Sequence, residues 1–314
     1  MIGIDVGFGY TKIYAGNGEN DKTIFPSVYA KYRERFELIS ADQLAAIDLN
    51  RLEVVLNGSK YIIGELAVKE AGTTTFDKSN FTRHLICMLT GISITKGDYI
   101  GDIVMGLPIS DMDIKERMQA LAGSYEFGLS NKIFNIKIEN IRVVPQGVAT
   151  FYDAIIDDTG VINDDLNAFK RVGIIDIGEK TVDFVSLNDS EIVIAESGSI
   201  DWGISTIYKR LCPILQKKCK INVLPYQVKQ YQNKITTEFE TEYQFLADEI
   251  LDHISAWWNY QEFDKILITG GSSSKLRPYF SKRINNCYVV ADAQFSNARG
   301  YYKCGLVMGQ KQSE

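Results

Sequence analysis

Ile2-Gly3-Ile4-Asp5-Val6-Gly7 opens the chain, and Gly173-Ile174-Ile175-Asp176-Ile177-Gly178 repeats the phrase just past its midpoint. In each copy a short apolar run stops at Asp-x-Gly, the pattern of a sheet-core strand that delivers one carboxylate to the sheet's rim. Two such rims facing each other make a cleft. The repeat implies a duplicated α/β architecture with a nucleotide between its halves, magnesium being the reason for two carboxylates.

The first copy continues as Gly7-Phe8-Gly9-Tyr10-Thr11-Lys12 and leads into an alternating strand, Ile13-Tyr14-Ala15. Glycines at alternate positions remove Cβ atoms, so that turn amides can approach an anion, and Lys12 adds a compact positive charge for phosphates. Taken alone, such a turn more often merely joins two strands. The second copy reads Asp176-Ile177-Gly178-Glu179-Lys180-Thr181-Val182-Asp183, followed by the strand Phe184-Val185-Ser186-Leu187; Gly178 and Thr181 would hold the other side of the phosphates. A third glycine turn follows the strand Ile266-Leu267-Ile268-Thr269 and leads toward a helix. Its Gly270, Gly271 and Ser272 would let a base and ribose lie against bare backbone.

With 314 residues, 45% of them hydrophobic, the chain can bury two ordinary cores, in keeping with about 150 residues per domain. It is acidic, with net charge −6 and pI near 5.2. Without a Lys/Arg-rich run it is a poor direct binder of DNA phosphates, so attachment to DNA would pass through a basic adaptor. No stretch approaches the ~18 apolar residues of a membrane span, and the N-terminus reads as a strand rather than a signal peptide, which points to the cytoplasm. Cys87, Cys212, Cys219, Cys287 and Cys304 form no Cys-x-x-Cys pair. They read as reduced, mostly buried thiols rather than disulfides or zinc ligands. His84 and His253 are too isolated for a metal site and read as structural.

In their order and separation the three turns resemble the nucleotide-binding fingerprint of the superfamily of actin, the Hsp70 ATPase domain and sugar kinases. Asp5, Gly7, Gly9 and Lys12 fill every fixed position of the actin branch's Asp-x-Gly-x-Gly-x-x-Lys pattern. Within that superfamily the chain looks most like bacterial and archaeal actin-like proteins of the ParM/StbA plasmid-segregation kind. Phe25-Pro26-Ser27, Gly106-Leu107-Pro108-Ile109, Pro145-Gln146-Gly147-Val148-Ala149 and Asn297-Ala298-Arg299-Gly300-Tyr301 carry that likeness along nearly the whole chain.

The resemblance implies an actin-like, ribonuclease H-like fold in duplicate. Its first domain would span 1–170 and be completed by a C-terminal helix over 297–314; its second would span 171–296. A linker or loop is expected near Asp157 to Asn167, where Asp, Asn, Thr and Gly cluster. Helices are expected from Asn80 to Leu89 and from Ser110, as N-cap, to Leu121, with Gly123 as terminator. Phe245, Leu246, Ile250, Ile254, Trp257 and Trp258 follow the spacing of a helix burying one face, and both tryptophans cannot point inward. Lys217-Lys218-Cys219-Lys220 reads as a solvated face, and Gln232 to Tyr243 as a surface helix or a filament-contact loop.

By the same resemblance, ATP would bind with Mg2+, GTP being the open alternative. Gln146, expected at a helix start beside Pro145, would orient the attacking water, or else would merely cap the helix. Asp5 and Asp176 would hold the magnesium through its water shell, with Asp176 also a candidate base. Gly7, Gly9, Tyr10, Thr11 and Lys12 would take the phosphates from one side; Gly178, Glu179, Lys180 and Thr181 would take them from the other. Gly203, ahead of a helix from Ile204, would face ribose or phosphate. Glu179 and Lys180 depart from the small residues frequent there; they would meet phosphate, a neighbouring subunit or solvent. The implied function is a filament-forming ATPase that moves plasmid or phage DNA through a DNA-binding adaptor. A non-polymerising ATPase switch and a sugar or acetate kinase are the alternatives.

Overall fold

The computed structural model describes residues 1–16, 21–33, 47–71, 80–163 and 169–310. The tail 311–314 and residues 164–167 of the expected linker lie outside the described residues. The repeated phrase forms an interior strand, paired on both sides, in each of two sheets. Strand Ile2–Val6 pairs antiparallel with Tyr10–Tyr14 and parallel with Tyr99–Leu107. Strand Arg171–Ile177 pairs antiparallel with Val182–Asn188 and parallel with Lys265–Thr269. The same local grammar is thus used twice.

Among the described residues the first sheet has nine strands, running from Lys22–Pro26 through Tyr10–Tyr14, Ile2–Val6, Tyr99–Leu107, Lys132–Pro145, Gly123–Leu129, Leu52–Leu56 and Ser59–Ile63 to Tyr29–Lys31. The second has six among the described residues, with Lys265–Thr269 and Cys287–Val289 on one side of Arg171–Ile177, and with Val182–Asn188 and its short partners Glu191–Ile192 and Gly198–Ile200 on the other.

Period-two alternation along Arg171–Ile177 serves two cores at once. Val172 and Ile174 pack with Phe151 and Ile155 of the helix Val148–Ile155. Ile175 and Ile177 pack on the opposite face with the helices Ser205–Cys219, Thr236–Ile254 and Ser273–Phe280. Each fully buried isoleucine contributes about 2 kcal/mol through area removed from water.

Helix Phe81–Thr95 covers one face of the first sheet, and its Gly91 leaves room for Ile13. The other face takes the C-terminal helix Ser296–Gln310, which is wedged tightly against its neighbours. A Cβ on Gly3 would lie 2.0 Å from the Ala298 carbonyl oxygen, and one on Gly300 would lie 1.9 Å from that of Ala149. This helix and Val148–Ile155 join the two sheets where the repeated carboxylates emerge.

Several expected elements change on folding. The helix expected from Asn80 to Leu89 runs on to Thr95, with Asn80 capping it by accepting from the Arg83 amide. The helix placed from Ser110 to Leu121 is a 3-10 segment, Ile109–Ile114, followed by a short α-helix, Lys115–Gln119. Ser110 donates to Asp111 instead of capping. Pro145 ends a strand instead of opening a helix; Gly147, at φ +86°, intervenes before Val148. Of the tryptophan pair, Trp258 is 2% exposed and Trp257 44%. Gln232 to Tyr243 is divided between a 3-10 segment and a helix whose Phe239 and Tyr243 are buried. Lys218, at the end of the Ser205–Cys219 helix, pairs with Glu238. All five cysteines are free thiols. Among the described residues no helix is long and apolar enough to cross a membrane.

Candidate functional site

The carboxyl ends of the two repeated strands open on one cavity of about 490 Å³, within the usual range for small-molecule sites. Asp5 and Asp176 are 5% and 4% exposed. Lys12 Nζ lies 2.7 Å from Asp5 Oδ2. Burial works against the Lys12 charge, but the Asp5 charge and hydrogen bond, with the Asp176 charge, outweigh it and hold the ammonium above its ordinary value. Burial pushes the Asp176 carboxyl up; Lys12 opposes this, Asp5 adds to it, and the amides of Asn297 and Gln146 pull it down.

The two turns at the cavity arrange their main-chain groups alike. In the first, Gly7 N–H donates to Tyr10 O, while the Gly7 carbonyl accepts from Arg83 Nη2 at 2.7 Å and the Gly9 carbonyl from Ser27 N at 2.9 Å. In the second, the carbonyls of Gly178, Glu179 and Lys180 accept from the amides of Ile204, Ser205 and Gly203. Among the described residues the amides of Gly9, Glu179 and Lys180 find no protein acceptor. Gly7 and Gly9 in the first turn and Gly178, Glu179 and Lys180 in the second therefore have their carbonyl oxygens tied back, while the Gly9, Glu179 and Lys180 amides are to spare, an arrangement suited to a phosphate.

Asp5, Gly7, Gly9, Tyr10, Lys12, Gln146, Asp176, Gly178, Glu179, Thr181, Gly270, Gly271 and Ser272 all line this cavity. Three expected residues do not. Thr11 is buried behind the turn, its hydroxyl 2.8 Å from Ser27 Oγ. Gly203 is instead the close-approach point of the second turn, where a Cβ would sit 2.4 Å from the Glu179 carbonyl oxygen. Lys180 reaches across to the first turn, with Nζ 5.0 Å from the Phe8 ring centre.

Glu179 also crosses the cleft. A Cβ on Gly9 would meet its Cβ and Cγ at 2.8 Å. Burial raises its carboxyl, with Lys229 opposing. Gln146 is fixed by its amide, which donates to Leu107 O at 2.6 Å, and its Nε2 reaches Asp176 Oδ2 at 3.3 Å. Gly270 has φ +92°, and a Cβ there would lie 2.2 Å from the Ile177 carbonyl oxygen and 2.9 Å from Asp176 Oδ1, so only glycine fits beside that carboxylate.

Asn297 and Arg83 have contacts at this cavity that sequence reasoning did not reach, and His84 also borders it. Asn297 Nδ2 donates to Asp176 Oδ2 at 2.7 Å, and its Oδ1 accepts from Thr150, which fixes the amide's orientation. Arg83, within the helix expected from Asn80, reaches the Gly7 carbonyl and lines the cavity. His84, read as structural, has Nδ1 3.2 Å from Asn80 O and also lines the cavity. Asn297 stood inside a quoted segment, but nothing local pointed to its partner.

No curated protein sequence matches the chain. A family model described as actin-like proteins, N-terminal domain, matches residues 3–148. One described as archaeal actin homologue MreB-like, C-terminal, matches residues 174–282. The fold is similar to ParM in a 15-stranded filament from Clostridium botulinum, at TM-score 0.78 and 20% identity, covering 97% of this chain and 98% of that one. It is similar to Ta0583, an archaeal actin homologue, in complex with ADP, at TM-score 0.73 and 18% identity over 97% and 98% of the chains. It is similar as well to Bacillus thuringiensis ParM with ATP, at TM-score 0.73 and 14% identity over 99% of each. The fold is the two-domain actin-like one, and the two models together take up most of the chain, which belongs to the actin-like proteins.

Proposed function

We propose that the chain is an ATPase that assembles with copies of itself into filaments and turns them over by hydrolysis. The observation that carries this reading is the pair of turns with carbonyls tied back and amides to spare, set at the cavity that the buried Asp5 and Asp176 line. The likeness in fold to an ADP complex and an ATP complex supports a nucleotide there, with GTP the alternative. The likeness to a filament structure supports self-assembly. Residues 1–170 with 297–314 form the first domain in this reading, and 171–296 the second.

The donor set fits Mg2+. Asp5 and Asp176 offer buried, hard carboxylate oxygens, and such an ion is held by one or two carboxylates together with phosphates and water. When bound, it would neutralise charge on the β- and γ-phosphates. Lys12 and the free amides bind and orient the phosphates. Gln146 orients a water whose oxygen attacks the γ-phosphorus as the bond to the ADP oxygen breaks. The 3.3 Å bond from Gln146 to Asp176 is long, so turning toward a water costs little. The base and ribose lie along Gly270, Gly271 and Ser272.

Filament formation in the triphosphate state, reversed by hydrolysis, suits transport of plasmid or phage DNA in the cytoplasm through a DNA-binding adaptor. Light scattering with and without magnesium-ATP tests the reading. The signal should rise above a critical protein concentration and fall as ATP is consumed. Monomers throughout, with hydrolysis that accelerates only when a sugar or carboxylate acceptor is added, would replace it by a kinase.

A further inference from the structure

Arg83 is 3% exposed, and burying a guanidinium away from water is costly unless its bonds are well made. It sits in the first turn of the Phe81–Thr95 helix, whose start is fixed by Asn80. Its Nη2 donates to the Gly7 carbonyl at 2.7 Å and its Nε to the Ser27 carbonyl at 2.9 Å. Ser27 N–H donates in turn to the Gly9 carbonyl. One buried side chain therefore braces both glycines of the first turn, Gly7 directly and Gly9 through Ser27. The second turn obtains the same restraint from main chain alone, through the amides of Gly203, Ile204 and Ser205.

Resting on the nucleotide reading above, we propose that Arg83 is a positioning residue for phosphate binding: it holds the carbonyls of Gly7 and Gly9 away from the cavity so that the turn presents amides. A carbonyl freed to rotate inward would set oxygen against phosphate oxygen, and a turn amide would be lost with it. Arg83 also lines the cavity, so its charge adds to that of Lys12 on the phosphate side. The base and ribose, at the third turn, lie beyond its reach.

That separation gives the test. Affinities of the full chain for magnesium-ATP, magnesium-ADP and adenosine are measured by calorimetry in the parent, Arg83→Met and Arg83→Lys. Arg83→Met should weaken ATP and ADP about 10- to 100-fold, the range for hydrogen bonds to a charged group, and leave adenosine within about twofold. Arg83→Lys keeps the charge but can reach only one carbonyl, and should fall between the two. Unchanged ATP affinity in Arg83→Met, or a parallel loss of adenosine, overturns the proposal. If Arg83→Met fails to fold, a phosphate-selective loss in Arg83→Lys upholds it and equal affinities overturn it. A parent that binds none of the three removes the nucleotide reading itself, and this proposal with it.

Discussion

Asn297 donates its side-chain amide to Asp176 Oδ2 at 2.7 Å, joining residues 121 apart in sequence at the floor of the cleft. The C-terminal helix is thereby part of the site as well as of the core.

Replacing Asn297 by Leu should leave Asp176 with a single amide donor and push its carboxyl further up. A folded-state value raised above the unfolded one favours the neutral form. Its contribution to stability is present below the unfolded carboxyl range and is lost as pH rises through the folded value. Chemical denaturation should therefore show the variant losing about 1–2 kcal/mol at neutral pH, with a smaller deficit in acid. An equal deficit at both would mean that the amide acts by packing alone.

Gln146→Ala should slow phosphate release about tenfold or more while nucleotide still binds, the lower range for removing a group that positions the nucleophile. Its filaments should outlast the parent's in the same light-scattering trace. Parental hydrolysis rates would return Gln146 to a purely structural role.

Glu179 should couple nucleotide binding to proton uptake. Its carboxyl is already raised by burial; Lys229 opposes that shift, and the Tyr10 and Tyr208 hydroxyls share the cavity with it. Phosphates nearby would raise it further, so affinity should fall as pH rises through its range. Calorimetry in buffers of different ionisation heat should detect the proton, and Glu179→Gln should abolish it. Proton uptake that survives in Glu179→Gln would assign the linkage elsewhere.

Gly106→Ala should be strongly damaging at the cleft. The added Cβ would lie 1.7 Å from the Tyr301 hydroxyl oxygen, inside a packed core. A loss of about 3 kcal/mol in urea unfolding is expected, the upper part of the usual overpacking range. Gly309→Ala, whose Cβ would meet nothing within 4 Å among the described residues, is the matched control and should be neutral or slightly stabilising.

Both repeated strands and all three turns were legible because each is written in a few adjacent residues. Apolar runs ending at Asp-x-Gly fold locally, and repeating them exposed the duplication. Contacts made over long separations were not legible: Arg83 meets Gly7 across 76 residues, and Asn297 meets Asp176 across 121. Pro145 misled because proline suits both a helix's first turn and a strand's last residue, and Gly147 decides between them only through its φ. Gly91 weakened the helical pattern after Leu89, yet the helix continues because that glycine admits Ile13.

The restraint on the second turn passes through peptide groups alone, from Gly203, Ile204 and Ser205 to the carbonyls of three consecutive residues. Peptide groups are the same whatever side chains they carry. The restraint therefore does not depend on which side chains stand at positions 179 and 180, and this chain has there a glutamate and a lysine that reach the opposite turn. On the nucleotide reading, substitutions at these two sites would change how tightly the two turns hold each other, and with it the release of spent nucleotide, while the main-chain shape of the second turn stays as it is.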